Sequence, residues 1–305
     1  MKLQLDDVAL FVRIVELGSL SAAARERQGP VSQVTRALAR LEKACGARLL
    51  HRNTHGLSLT DEGEGMLQHA RRLTETVAEL EGALAGPTAG PSGWLRLSVS
   101  TIIAQAVVAP WLVALYDSHP ALHVEVSAED RIVDMAREGI DLAVRTGSPA
   151  GEHLVARPIG QLTRSLYAAP AYLARHGVPR RRDELAAHRL LTNASHPSLN
   201  RWRSRRDGSD WVARGHTRCD NTAVLASLAI SGVGIARIID LAARPLVRSG
   251  ALVPVLPREF ATDAVPMFAV MLRERHRLPK VRACIEHLAA WLAQGATEAG
   301  HDAAA

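Results

Sequence analysis

The hydrophobic period of this chain changes once, at the run Gly86-Pro87-Thr88-Ala89-Gly90-Pro91-Ser92-Gly93. Glycine and proline at that density cannot continue a helix or a strand, so the run reads as a hinge between two folded parts. The length of 305 residues agrees, because it suits two domains of roughly 150 residues each. Before the hinge, apolar residues recur every three or four positions. After it they alternate or form short runs, which is a strand period mixed with helices.

Three short helices are expected in the first 60 residues. Leu5, Val8, Phe11, Val12 and Val15 form one apolar face, stopped by Gly18. Ser21 is expected to cap a second helix, Ala22 to about Gln28, whose alanines allow close helix approach. Gly29-Pro30 breaks it. Val31, Val34, Leu38 and Leu41 line a third helix that ends at Gly46. Residues 48–52 and 57–59, joined by Asn53-Thr54-His55-Gly56, read as a small hairpin. Three helices and a wing of this size make a winged helix-turn-helix.

Thr60 then caps a long helix with Asp61 and Glu62 in its first turn, where the helix dipole favours acids. Met66, Ala70, Leu73, Val77, Leu80 and Leu84 follow at alternating spacings of four and three, an a/d seam. Because the hinge follows directly, little local chain remains to cover that seam, and a second copy is expected on Met66, Leu73, Val77, Leu80 and Leu84.

Beyond the hinge, strands are expected at 95–99, 122–126, 141–145 and 165–168 and at Leu190-Leu191. Helices are expected at 103–116, 131–138, from Pro170, from Thr222 to about Ser231, and from about Lys280 to Ala293. The order implies two α/β lobes with mostly parallel sheets and a cleft between them. The uncharged stretch Leu97 to Tyr116 is long enough for a bilayer but contains Ser98, Ser100, Thr101, Gln105 and Pro110. A strand followed by a buried helix accounts for it, and no membrane partner is expected. Cys45, Cys219 and Cys284 are widely spaced and odd in number, which fits neither a disulfide framework nor a zinc site. The start, Met-Lys-Leu-Gln-Leu-Asp-Asp, has no apolar export signal, so a cytoplasmic location is expected.

The local words resemble those of the LysR-type transcriptional regulators over nearly the whole length. They are Phe11-Val12-x-x-Val15-x-x-x-Gly18-Ser19-Leu20-Ser21-Ala22-Ala23-Ala24-Arg25, Val34-Thr35-Arg36-Ala37-Leu38-x-x-Leu41-Glu42, Gly46-Ala47-Arg48-Leu49-Leu50-His51-Arg52 and Leu59-Thr60-Asp61-Glu62-Gly63. Further on come Pro170-Ala171-Tyr172-Leu173, Gly232-Val233-Gly234-Ile235-Ala236 and Gly250-Ala251-Leu252-Val253-Pro254-Val255-Leu256. The resemblance implies a winged helix-turn-helix DNA-binding domain at 1–60, a linker and dimerisation helix at 61–86 and a hinge at 87–93. An effector-binding domain of two α/β lobes, similar to periplasmic binding proteins, follows at 94–295; the small, polar and alanine-rich stretch 296–305 is expected from its composition to be a disordered tail. Such a protein binds promoter DNA as a homo-oligomer, dimer or tetramer, under the control of a small molecule that is often an organic anion.

In this motif the third helix enters the major groove. Its exposed side offers Ser32, Gln33, Thr35, Arg36 and Arg40, with Gln33 suited to adenine and Arg36 to guanine. Arg48, Arg52 and Lys43 suit phosphates. Gly29 and Pro30 depart from the family, which has a branched apolar residue and then Ser or Thr there. Glycine as N-cap and proline as first helical residue would preserve the start. Arg27 replaces a customary apolar residue of the second helix. For the cleft, Ser100 and Thr101 at a helix start form an anion site, with Thr146, Asn193 and Thr222 facing the same space and Glu129 opposing an anion.

Residues 1–60 carry nine Lys and Arg against five Asp and Glu, so most of the net charge of +6 lies where DNA is expected. Other functions find less support. Ser231-Gly232-Val233-Gly234 lacks the full dinucleotide fingerprint, the thirteen histidines show no metal spacing, and no nucleophile elbow occurs, so neither an enzyme nor a cofactor or metal is expected. Arg201-Trp202-Arg203-Ser204-Arg205-Arg206 with Trp211 resembles a single-strand platform, but Asp207, Gly208 and Asp210 favour a solvated hairpin. A free-standing solute-binding protein would not carry the first 60 residues.

Overall fold

The computed structural model describes residues 3–53, 56–84, 90–147, 151, 153–262 and 264–302. The chain divides into two compact units at Gly93/Trp94.

In the first unit, α1 (Leu5–Leu17) buries Val8, Leu10, Phe11, Val12 and Ile14 and stops where Gly18 turns left-handed at φ 65°. Helix α2 (Leu20–Glu26) begins two residues earlier than expected: Ser19, not Ser21, is the N-cap, its Oγ accepting the Ala22 N–H at 3.0 Å. Ser19 is the first oxygen-bearing residue after the Gly18 turn, so the helix starts as soon as a cap is present. Helix α3 (Val31–Cys45) also starts differently. Pro30 itself occupies the cap position, extended at φ −71° and ψ 143°, so Val31 and not Pro30 opens the helix. The ring fixes φ but not ψ, and the Pro30 carbonyl still accepts the Gln33 N–H at 3.0 Å.

Strands β1 (Leu50–Asn53) and β2 (Gly56–Leu59) form the antiparallel wing, with Leu50 opposite Leu59. Helix α4 (Asp61–Leu84) is capped as expected, the Thr60 Oγ1 accepting the Gly63 N–H at 2.9 Å. Its Leu67 and Ala70 close a core built from Phe11, Ile14, Val34, Leu38, Leu41 and Leu49.

The second unit contains two five-stranded sheets. The first lobe is built on β3 (Gly93–Val99), β4 (Leu122–Ala128), β5 (Leu142–Thr146), β6 (Leu154–Leu162) and a late strand. Helix α5 (Thr101–Ile103) runs through a π turn at Ala104–Val108 into α6 (Ala109–Ser118). The π register puts the Ala109 N–H on the Ala104 carbonyl, just before Pro110, which has no N–H to donate. By length and composition the helix Thr101–Ser118 could cross a membrane. Its Ile102, Ile103, Val107, Trp111 and Leu115 are instead buried in the main core.

The second lobe holds β7 (Arg164–Ala168), α7 (Pro170–His176), β8 (Leu190–Asn193), the hairpin β9 (Arg201–Arg203) and β10 (Asp210–Val212), β11 (Thr217–Cys219) and α8 (Thr222–Ile230). Next come β12 (Ile235–Ile239), α9 (Asp240–Arg248) and β13 (Val253–Val255). The chain then returns as β14 (Val265–Leu272) to the first sheet and closes with α10 (Pro279–Asp302). Helix α10 continues as far as Asp302, through much of the stretch expected to be disordered, despite Gly295 and Gly300; no proline interrupts it after Pro279.

The sheets are mixed rather than mostly parallel. Strands β3 and β5 run parallel, as do β8, β11 and β12, but β14 pairs antiparallel with β5 and β6, and β7 antiparallel with β12 and β13. These antiparallel strands lie next to the chain's two passages between lobes, at Thr163 and before Val265, where no crossover helix intervenes. Residues 131–138 form turns, not the expected helix. The Asp134 carboxylate accepts the Arg137 N–H at 3.1 Å, and Arg131 binds both Glu129 and Glu138, fixing a compact polar loop.

Candidate functional site

Helix α3 presents two faces. Val34, Ala37, Leu38 and Leu41 are buried, whereas Ser32, Gln33, Arg36 and Arg40 are exposed and Thr35 is half-buried. Exposed Lys43 and Arg48 continue the basic surface toward the wing. The Arg36 Nε donates to the Ser32 carbonyl at 3.3 Å, which folds the side chain back along its own helix. Arg40 is differently engaged. Its Nε and Nη2 donate to the two oxygens of Asp7 at 3.0 and 2.7 Å, and Asp7 is only 5% exposed. That bidentate pair ties α3 to α1. The Arg52 side chain lies outside the described residues.

Along α4 the apolar seam divides. Met66 packs on the unit's own core. Leu73 and Leu80, one heptad apart, are 45% and 59% exposed, with Val77 half-buried between them. The Leu84 side chain lies outside the described residues.

In the second unit a cavity of about 180 Å³ opens between the lobes. Ser100, Thr146 and Thr222 line it, as the sequence suggested, together with Ile103, Leu225 and Ile238. Thr101 is close by, but the helix starts at Thr101 and Thr222 already hold a carboxylate. Asp130 accepts the Thr101 N–H at 3.0 Å and the Thr222 N–H at 2.7 Å. Asn221 adds a second link between lobes, its Nδ2 donating to the Thr101 Oγ1 at 2.9 Å. The expected anion site at these helix starts is therefore filled from within. Asn193 holds a turn: its Oδ1 accepts the His196 N–H at 2.6 Å and its carbonyl accepts from Asn200 Nδ2 at 2.8 Å. Glu129 is bound by Arg131 and Ser127, which hold its carboxyl below the usual range.

Three arginines that the sequence reading passed over line the cavity: Arg145, Arg164 and Arg237. Arg145 donates to the Ser98 carbonyl at 3.0 Å and to its hydroxyl at 2.7 Å. Arg164 donates to the Thr146 Oγ1 at 3.2 Å. Burial, and then the neighbouring charge of Arg237, push the Arg164 guanidinium down to about 10. Arg237 was the legible one, since it interrupts an otherwise apolar strand, Ile235-Ala236-Arg237-Ile238-Ile239. A charge in so buried a run marks a face turned toward a polar cavity.

The model of a bacterial regulatory helix-turn-helix protein of the lysR family matches residues 5–64, and that of the LysR substrate binding domain matches residues 88–293. The chain belongs to the LysR family of transcriptional regulators. This LysR-type regulator is 32% identical over 288 residues to the probable HTH-type transcriptional regulator LtrA of Klebsiella pneumoniae, covering 93% of each chain. It is 29% identical to the HTH-type transcriptional activator TtdR of Escherichia coli, over 94% of this chain and 93% of that one. Among solved structures, that of CrgA, a LysR-type regulator from Neisseria meningitidis, matches with a TM-score of 0.63 and 28% identity, over 95% and 99% of the two chains. The regulator thus joins a helix-turn-helix DNA-binding domain to an effector-binding domain, and its relatives regulate transcription rather than catalyse reactions.

Proposed function

We propose that this regulator works in the cytoplasm and binds duplex promoter DNA as a homodimer or higher homo-oligomer. In this reading α3 lies in the major groove, two α4 helices pair, and a small molecule in the cleft between lobes alters the DNA complex. The observation that carries the reading is the exposed row Ser32, Gln33 and Arg36 on α3, opposite a fully buried apolar face. Gln33 reads adenine and Arg36 guanine, each worth about 1–3 kcal/mol of discrimination when bidentate. Thr35 and Ser32 add shorter contacts, and Arg48 and Arg52 hold phosphates. Arg40 acts indirectly, fixing the angle of α3 through Asp7. The exposure of Leu73 and Leu80 supports pairing through α4.

The test is a gel-shift titration with the DNA immediately upstream of the protein's own gene. A specific shift that survives random competitor is expected. Arg36→Ala reduces preference for that DNA over random duplex, whereas Arg48→Ala weakens both alike and lowers the salt slope. No shift at low salt, or equal competition by random DNA, overturns the reading.

A further inference from the structure

The basic and aromatic run Arg201-Trp202-Arg203-Ser204-Arg205-Arg206 folds into the hairpin of β9 and β10, which sorts its side chains by face. Trp202 lies opposite Trp211 in the register, and both rings pack on Phe260, with centroids 5.6 and 6.0 Å from it. Trp202 is buried, so the pair is committed to the core of the second lobe and offers no platform on which bases of a single strand could stack. Arg201 and Arg203 alternate with Trp202 and point the other way, into solvent. Exposed Arg206 extends the row into the turn, its N–H donating to the Ser204 Oγ at 3.3 Å. The hairpin is fixed to its lobe: the Arg205 N–H donates to the Glu259 carbonyl at 2.9 Å, its Nε to the Phe260 carbonyl at 3.1 Å, and the Ala261 N–H to the Arg203 carbonyl at 2.8 Å. Groups held this firmly lose little freedom when they bind.

Charge around this face is strongly one-sided. From Arg180 to Arg218 the chain carries ten arginines against four carboxylates, a surplus of six that exceeds the surplus of four in residues 1–60. Of those carboxylates, Asp210 stands opposite Arg203, and Asp207 accepts from the N–H and the hydroxyl of Ser209 at 3.1 and 2.7 Å. Asp207 is drawn down to about 2 chiefly by the hydroxyls of Ser209 and Ser204 and in smaller part by the charge of Arg182, which therefore lies near the same turn. A protein partner would need an apolar anchor at the centre of such a surface, but the tryptophans face inward and Val212 is the exposed apolar side chain opposite Arg201. Guanidinium groups instead fit phosphate oxygens. We propose that the outer face of this hairpin is a second, sequence-independent contact for duplex DNA, in which Arg201, Arg203 and Arg206, with Arg182, hold backbone phosphates outside the stretch read by α3. The two contacts belong to one chain, so once α3 is bound the neighbouring duplex is presented to the hairpin at high effective concentration. The inference rests on DNA binding by the first unit and extends it to the second.

Fluorescence anisotropy of the full-length protein tests it with two duplexes. One is the DNA upstream of its own gene, trimmed to the shortest length that keeps a specific shift; the other is the same piece extended at each end by about three helical turns of unrelated sequence. The extended duplex is expected to bind the parent about tenfold or more tighter. Arg201→Gln/Arg203→Gln/Arg206→Gln should remove most of that gain and lower the salt slope on the extended duplex by about 2 to 3, while affinity for the trimmed duplex changes by less than about twofold. Arg137→Gln/Arg157→Gln/Arg277→Gln takes as many exposed charges from elsewhere in the second unit and should leave the gain in place, which separates a local contact from net charge. Thermal unfolding checks that both variants are folded. A gain that persists in the folded hairpin variant, an equal loss in the two variants, or no gain from the flanks overturns the inference, and specific binding of the trimmed duplex then leaves the α3 reading standing. If neither duplex binds at low salt, both fall together. Phosphatidylserine vesicles that bind the parent but not the hairpin variant, with the gain from the flanks equal in both, would assign the face to a membrane surface and overturn the DNA contact.

Discussion

Asp130 and Thr222 meet across the two lobes: the Asp130 carboxylate accepts the Thr222 backbone N–H at 2.7 Å and the Thr222 hydroxyl at 2.9 Å. The same carboxylate also accepts the Thr101 N–H, so one side chain caps a helix start in each lobe. A charged acceptor at a helix N-terminus satisfies donors that would otherwise be orphaned. It also latches the cleft, because opening the lobes separates Asp130 from Thr222.

Removing that carboxylate should therefore loosen the second unit and create a vacancy. Hydrogen bonds to a charged group contribute about 1.5–3 kcal/mol each, so Asp130→Ala is expected to lower stability by about 3 kcal/mol in chemical denaturation. Added formate should raise the melting temperature of the variant more than that of the parent, since the small anion can sit where the side chain was. Equal formate responses would show that the helix starts do not hold an anion once Asp130 is gone.

The α4 seam makes a separate prediction about assembly. Burying a leucine is worth about 1.5–3 kcal/mol, and Leu73 and Leu80 realise that only against another surface. Leu73→Glu/Leu80→Glu should shift the protein toward monomer in sedimentation velocity without loss of helix content, since both positions are exposed in the single chain. Specific DNA affinity should fall with it, because two half-sites are then no longer read together. An oligomer unchanged at micromolar concentration would place the interface elsewhere.

Two glycines in the first turns of α4 should respond oppositely to the same substitution. A Cβ on Gly63 would collide with the Leu49 carbonyl oxygen, which is backbone and cannot rotate away. Gly63→Ala should destabilise the DNA-binding unit by about 3 kcal/mol or more, as overpacking against fixed atoms does. Gly65 has nothing within 4 Å of its would-be Cβ, so Gly65→Ala should stabilise by about 0.5–1 kcal/mol through helix propensity. Thermal unfolding of the two variants, with DNA binding as a second readout, decides it, and a common sign would contradict the close approach of α4 to the Leu49 backbone.

Such local contacts separate what was legible in the sequence from what was not. The α3 face could be read, because a period of 3.6 sorts Val34, Leu38 and Leu41 from Gln33 and Arg36 without any tertiary knowledge. The seam of α4 was legible in the same way, although Met66 turned inward. Asp130 was not legible: its role depends on bringing Thr101 and Thr222, far apart in the chain, to one point. Arg40 had a similar fate, since nothing local joins it to Asp7. The turns at 131–138 escaped because ion pairs and an Asp134 turn outweighed modest helix propensity.

Acidification supplies the last prediction. The Trp111 Nε1–H donates to His287 Nδ1 at 2.9 Å, which requires that nitrogen to be unprotonated. Burial, and then the nearby His119, hold His287 below its ordinary value of 6.5. His188 is likewise lowered by burial and by His176, with its Nδ1 placed 3.3 Å from the Tyr172 hydroxyl. For both groups the unfolded chain takes up the proton first as pH falls, so protonation favours unfolding. Their contribution is fully present above about 6.5 and is lost as pH falls from there through the lower folded values. Melting temperature should accordingly decline between about pH 7 and about pH 5, a window above the range in which carboxylates titrate. His287→Asn preserves an acceptor for Trp111 but no longer titrates, so it should flatten part of the decline, and adding His188→Asn should flatten more. A decline of undiminished slope in the double variant would assign the pH response to other groups.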